Sequence, residues 1–199
     1  MISWERYEEI KKRVSEVFEE YEPNGLTVDI FGLAQSMGIE ILYASEMMNE
    51  NSGINIYDVL SLPNSFLHYY DKDGVLVVYI DDVGCKRNRQ RFSLGHEIGH
   101  IILGHTEQSP ENEEEANFVA EYLLTPTSLV MVEGAGIYMQ DPAFLEYAFD
   151  VSSDVASISA DHMENRYLLN ISTYKYEVVI NNMYKDSLRR CIKKYENYK

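Results

Sequence analysis

The stretch that decides the fold is His96-Glu97-Ile98-Gly99-His100, an HExxH sequence. On an α-helix, residues four positions apart lie on the same face, so His96 and His100 can offer imidazole nitrogens to one metal ion. Glu97 is then placed to take a proton from a water molecule at that metal, as a general base does. Because imidazole and carboxylate groups suit zinc, the motif predicts a Zn²⁺ site with His96 and His100 as ligands and Glu97 as the catalytic base.

The residues around the motif predict a packed helix from about residue 88 to 103. Ile98 and the run Ile101-Ile102-Leu103 would bury this helix against a core, which argues against two histidines on an ordinary solvent-exposed helix. Gly95 and Gly99 each cost about 1 kcal/mol in a helix interior relative to alanine. Their presence therefore indicates close approach by a neighbouring element or a ligand.

A third ligand must come from outside the motif, because a catalytic zinc site combines three protein ligands with one open position. His105 lies five residues after His100, and on a continuing helix it would point away from the metal-facing side. The next helix is predicted to begin at Ser109-Pro110-Glu111, which offers an N-cap serine and a first-turn proline, and to continue to Leu124. This second helix carries a cluster of acidic residues.

Helical geometry separates those acidic residues. Glu113 shares a face with small side chains that let two helices approach closely, and Asn117, one turn later, can orient a metal ligand. Glu115 falls on a different face. Glu113 is therefore the favoured third ligand and Glu115 the alternative, whereas favourable charge at a helix N-terminus accounts for Glu111 and Glu114.

Two blocks of the sequence closely resemble the ImmA/IrrE family of metallopeptidases. The first, residues 89–100, reads RQRFSLGHEIGH. The second, residues 113–126, reads EEEANFVAEYLLTP and is similar to the family's E-x-x-A-N-x-F-A-x-x-L-L-x-P element, with Val119 in place of the usual phenylalanine. The blocks stand at the spacing that the family has, and the resemblance covers about residues 25–170.

This resemblance implies a zincin-like fold in which His96, His100 and a downstream glutamate bind Zn²⁺ and Glu97 acts as general base. It also implies a class of substrate. Members of the family often cut a helix-turn-helix repressor, commonly one that is encoded beside them on a phage or another mobile genetic element.

Hydrophobic periodicity predicts an α+β fold with a small sheet near the middle and helices before and after it. The zincin-like fold implied by the resemblance adds that the sheet is mixed, that the HExxH helix packs on it and that a helical part follows. A domain boundary is predicted near residue 130: residues 1–130 form a zincin-like metallopeptidase domain, and residues 131–199 form a helical region packed on it. Val75–Ile80 is expected to be an exposed strand that aligns an extended substrate by backbone pairing. Strands are predicted at 39–43, 66–70 and 75–80, with a turn at Asp71–Gly74, and further helices at 4–21, 27–38, 141–149, 153–169 and 178–197.

The net charge of the chain indicates which classes of molecule it is expected to bind. The chain has 33 acidic and 17 basic residues and a formal net charge of −16, which disfavours direct binding of nucleic acid or of an anionic membrane and suits a basic protein partner. Two distant cysteines, Cys85 and Cys191, do not form a disulfide framework. The chain shows neither a signal peptide nor the roughly 18–20 consecutive apolar residues of a membrane span, so a cytoplasmic protein is expected.

The sequence thus predicts a cytoplasmic zinc-dependent regulatory endopeptidase whose partner is a protein substrate, a helix-turn-helix repressor by resemblance. The alternative is a metal-stabilised sensor that binds a repressor without cutting it. Glu97 argues against this alternative, because a purely structural metal site needs no base. A structural zinc site would also be expected to have four protein ligands.

Overall fold

The computed structural model describes residues 2–47, 68–70, 75–132, 138 and 141–198. Over these ranges the chain is mostly helical with a small sheet, so the predicted α+β class is confirmed. The predicted turn at Asp71–Gly74 and the first two residues of the predicted strand 66–70 lie outside the described residues. The elements are α1 (Trp4–Tyr21), α2 (Ile30–Ser36), β1 (Ile39–Tyr43), α3 (Ala44–Met47), β2 (His68–Tyr70), β3 (Leu76–Ile80), α4 (Arg87–Leu103), α5 (Pro110–Leu124), α6 (Thr127–Val132), α7 (Pro142–Phe149), α8 (Ser153–Leu168) and α9 (Glu177–Tyr198).

The three described strands form a mixed sheet in the order β1-β3-β2. β1 pairs with β3 in parallel, with Ile39 opposite Leu76, and β2 pairs with β3 in antiparallel fashion, with His68 opposite Val78. The expectation that Val75–Ile80 is an exposed strand for substrate pairing is therefore wrong. Its unbroken apolar run is buried at all five positions of β3, as central strands are, and its backbone already pairs on both sides.

Local signals set the ends of the helices around the site. The Oγ of Ser109 accepts a hydrogen bond from the backbone N–H of Asn112 at 3.1 Å, and Pro110 occupies the first turn, so α5 begins where the sequence predicts. Gly38 has a φ of 75°, a left-handed conformation that glycine adopts without strain. This residue ends α2 and turns the chain directly into β1.

One apolar cluster joins elements from the two predicted parts of the chain. Phe18 of α1, Leu94 of α4 and Leu123 of α5 belong to it, as do Phe149 of α7 and Leu188 of α9. The boundary near residue 130 stays a prediction. Among the described residues, no helix combines the length and the apolar character needed to cross a lipid bilayer.

A buried ion pair fixes the last helix to this core. The Nη2 of Arg166, on α8, lies 2.6 Å from the Oε2 of Glu177, the first residue of α9. The Tyr122 hydroxyl donates to Oε1 of Glu177 at 3.0 Å, and the backbone N–H of Tyr174 donates to Oε2 at 2.8 Å. Burial alone would raise the pKa of Glu177, but the hydrogen bonds and charge of Arg166 bring it below the ordinary value.

We expect Arg166→Met to lower the free energy of unfolding by about 3–5 kcal/mol, because it leaves the Glu177 carboxylate buried without its cation. Arg189→Met is the matched control, since Arg189 lies 3.2 Å from Asp186 with side chains 56% and 68% exposed. An exposed pair of this kind contributes little. Urea unfolding followed by circular dichroism measures both variants, and equal losses would contradict the prediction.

Candidate metal centre

The centre is built on the contact between α4 and α5, where small residues face one another. A Cβ placed on Gly99 would lie 3.0 Å from the Cα of Ala116, and one placed on Gly95 would lie 3.2 Å from the Cα of Ala120. The two helices therefore touch through their backbones at these glycines, as the sequence predicts. Glu113, one turn before Ala116, is thereby brought level with the histidines of α4.

His96, His100 and Glu113 come together at this contact. The two Nε2 atoms of the histidines lie 2.9 Å apart. The carboxylate oxygens of Glu113 lie 3.2 Å from Nε2 of His96 and 3.5 Å from Nε2 of His100. In a tetrahedral zinc site with bonds of about 2.0–2.1 Å, neighbouring ligand atoms are about 3.3–3.4 Å apart. The three side chains thus fit one metal ion of this size.

The burial of these groups leaves one side of the centre open. The side chains of His96 and His100 are 16% and 8% exposed, whereas that of Glu113 is 46% exposed. Glu97, between the two histidines on α4, is buried with 4% of its surface exposed. The ligand roles of His96, His100 and Glu113 and the base role of Glu97 stay predictions that this geometry accommodates.

Asn117 makes a hydrogen bond to the nitrogen of the His96 ring that faces away from the candidate metal position. Its Oδ1 lies 2.9 Å from Nδ1 of His96. With Nε2 of His96 turned towards the metal position, Nδ1 carries the hydrogen and donates it to this oxygen. The sequence-based expectation for Asn117, one turn after Glu113, therefore matches its place in the structure.

Glu115, the alternative ligand, lies away from the metal position. Its carboxylate accepts two hydrogen bonds from Arg6 of α1, at 2.8 Å from Nε and 2.6 Å from Nη2. Its Oε2 also lies 3.1 Å from Nε2 of His105. The hydrogen bonds from Arg6, more than that from His105, hold the pKa of Glu115 below its usual value. Glu113, and not Glu115, is the carboxylate beside both histidines.

His105 lies closer to the centre than the sequence argument placed it. That argument assumed a continuing helix, but α4 ends at Leu103 and Gly104 takes a φ of 69°. The chain then folds back, so that the backbone N–H of His105 donates to the carbonyl of His100 at 3.0 Å and the Nδ1 atoms of the two rings lie 2.9 Å apart. Glycine as a left-handed helix terminator was the signal available in the sequence.

A cleft of about 740 Å³ lies along the same pair of helices. Its lining includes Asn117, which contacts His96, and the residues at the start of α8. Acidic side chains, among them Glu114, Glu146 and Asp154, share its wall with apolar ones such as Phe92. The cleft is large enough for several residues of a peptide, and it reaches the centre through Asn117, which contacts the His96 ring.

An HExxH helix packed against a small mixed sheet, with a carboxylate from the following helix beside both histidines, defines a zincin-like metallopeptidase fold. The chain belongs to the peptidase family described as the IrrE N-terminal-like domain, whose model matches residues 34–161. The predicted membership of the ImmA/IrrE family is thereby confirmed. The matched residues include α4 and α5 but neither α1 nor α9. A search of curated proteins finds no significant match.

We expect Gly99→Ala to destabilise the protein, although helix propensity alone would favour alanine by about 1 kcal/mol. The new Cβ would lie 3.0 Å from both the Cα and the carbonyl oxygen of Ala116, so α4 and α5 would have to separate. Gly95→Ala, with its closest contact at 3.2 Å, should lose less. Urea unfolding ranks the variants, and a stabilised Gly99→Ala protein would show that the helices are not in backbone contact.

We expect Asn117→Ala to weaken the affinity for a divalent metal ion about 10–100-fold, because the His96 ring loses the acceptor that orients it. Competition between the protein and a chromophoric chelator for Zn²⁺ measures this affinity. Asn112→Ala is the control on the same helix, since the Asn112 amide donates to the backbone of Glu107 at 2.8 Å. If both alanine variants bind Zn²⁺ like the parent protein, Asn117 has no orienting role.

Proposed function

We propose that the protein is a zinc-dependent regulatory endopeptidase that cleaves a helix-turn-helix repressor in the cytoplasm. The observation that carries the proposal is the approach of three candidate ligand groups: the Nε2 atoms of His96 and His100 lie 2.9 Å apart, and the two carboxylate oxygens of Glu113 lie 3.2 Å from the first and 3.5 Å from the second. Two imidazoles and one carboxylate are a donor set typical of catalytic zinc. Membership of a peptidase family supports the reaction type.

When bound, the metal lowers the pKa of water and polarises the carbonyl of the scissile peptide. The chain supplies the proton transfers. Glu97 accepts a proton from the attacking water and returns it to the nitrogen of the leaving amine, so that the base is regenerated in each cycle. Asn117 keeps Nε2 of His96 facing the ion by accepting the hydrogen of Nδ1.

The cleft beside Asn117 supports a protein substrate of basic character. Its lining holds four acidic residues against two basic ones, Lys86 and Arg89, and this balance has the same sign as the net charge of −16 of the whole chain. A DNA-binding repressor must carry a positive surface to bind phosphates, and the same surface is attracted to this protein. Cys85 and Cys191 are not joined in a disulfide, which is compatible with a reducing cytoplasm.

We expect Glu97→Gln to retain Zn²⁺ but lose cleavage, because the amide cannot accept the proton, and His100→Ala to lose both. The assay incubates each purified protein with the helix-turn-helix repressor encoded nearest to its gene, with and without a chelator, and follows fragments by mass spectrometry. Bound zinc is measured in parallel by elemental analysis. Glu111→Gln, at the exposed start of α5, is the control for replacing a glutamate without touching the centre.

Undiminished cleavage by the Glu97→Gln protein would exclude this mechanism. If the zinc-loaded parent protein forms a stable complex with the repressor and produces no fragments, the protein is the binding module rather than the peptidase. Cleavage that persists at full rate in excess chelator would exclude the metal.

A further inference from the structure

A line of hydrogen bonds leads from the candidate ligand His100 to the first helix of the chain. The Nδ1 atoms of His100 and His105 lie 2.9 Å apart, and Nε2 of His105 lies 3.1 Å from Oε2 of Glu115. Arg6 then binds both oxygens of Glu115, at 2.8 and 2.6 Å. The side chains of His105 and Glu115 are 7% and 13% exposed, so water competes little for these bonds.

Only one assignment of hydrogens satisfies every member of this line when His100 binds a metal. Nε2 of His100 must then offer a lone pair, so its hydrogen is on Nδ1 and is donated to Nδ1 of His105. His105 consequently carries its own hydrogen on Nε2 and donates it to Glu115. The carboxylate of Glu115 accepts from both His105 and Arg6, which is a donor only.

The backbone holds His105 in this position independently of its ring. Gly104 closes α4 with hydrogen bonds from the N–H of Gly104 to the carbonyl of Ile101 at 3.1 Å and from the N–H of His105 to the carbonyl of His100 at 3.0 Å. These two bonds form a Schellman motif. His100 is therefore in contact with His105 through both its carbonyl and its ring.

We infer that His105, Glu115 and Arg6 are positioning residues that fix His100 in the tautomer and ring orientation that bind the metal. The inference rests on the proposed function for the presence of the metal. It assigns a role to Arg6, which lies outside the residues matched by the family model. Because Arg6 belongs to α1, the docking of the N-terminal helix completes the outer part of the centre.

The first test separates the hydrogen-bonding role of His105 from its volume. His105→Phe keeps an aromatic ring but neither nitrogen, and we expect its affinity for Zn²⁺ to fall about 10–100-fold. His105→Gln offers a carbonyl to His100 and an amide to Glu115, and it should recover most of that loss. A structural role would instead favour phenylalanine, so a Phe variant that binds Zn²⁺ as tightly as the parent protein overturns the inference. His162→Phe is the matched control for this affinity, because His162 lies on α8 and its ring pairs with Glu121, at 2.8 Å, rather than with a candidate ligand.

The second test concerns the distant end of the line. Arg6 and Arg13 both lie on α1 and both pair with a glutamate three residues later, at 3.0 and 2.8 Å, but only Arg6 also binds Glu115. We expect Arg6→Met to weaken Zn²⁺ affinity several-fold and Arg13→Met to leave it unchanged. Equal affinities for the two variants would overturn the role of Arg6.

A third measurement depends on neither metal nor cleavage, because the acceptor-only carboxylate of Glu115 places a hydrogen on Nε2 of His105, and a ring with that single hydrogen accepts at Nδ1 from Nδ1 of His100. Long-range ¹H–¹⁵N spectra of the histidine rings in the parent protein report which nitrogen carries hydrogen, and we expect His105 as the Nε2–H tautomer and His100 as the Nδ1–H tautomer. His105 with its hydrogen on Nδ1 would overturn the inference. If the parent protein binds no Zn²⁺, the proposed function fails while these spectra still decide the arrangement of the line.

Discussion

The backbone contact between α4 and α5 is the constraint on which the candidate centre depends. Two of the three metal-facing groups belong to α4 and the third to α5, and their nitrogen and oxygen atoms approach within 3.5 Å only because Gly99 has no side chain to keep Ala116 away. Any larger residue at that position would move Glu113 away from both imidazoles. The contact between Gly99 and Ala116 therefore determines the distances between Glu113 and the two imidazoles.

The side chains of α5 contact three different helices. Glu113 and Asn117 face the histidines of α4, Glu115 faces Arg6 of α1, and Tyr122 donates to Glu177 at the start of α9. The first and last helices of the chain thus bind the same element that carries the third ligand. Both lie outside the residues matched by the family model.

The sequence predicts most of the fold and the inner part of the site, because those features depend on local signals. The spacing of His96 and His100, the glycines on α4 and the cap at Ser109 all act within a few residues. Features that depend on contacts between residues far apart in the sequence could not be predicted from it. The central place of β3 follows from strands on both sides of it, and the bond from Arg6 to Glu115 joins residues 109 positions apart. The contact of His105 with His100 was not predicted, because it depends on how the chain reverses at Gly104 after the end of the helix.

The hairpin formed by α4 and α5 also has a consequence for the order of assembly. All three metal-facing groups lie within residues 96–113, so they meet by closing one short loop rather than by collapse of the whole chain. Closing a short loop has a small entropic cost, and contacts of low sequence separation form early. The three candidate ligands can therefore meet before the terminal helices dock, so the candidate centre does not require the complete fold in order to form.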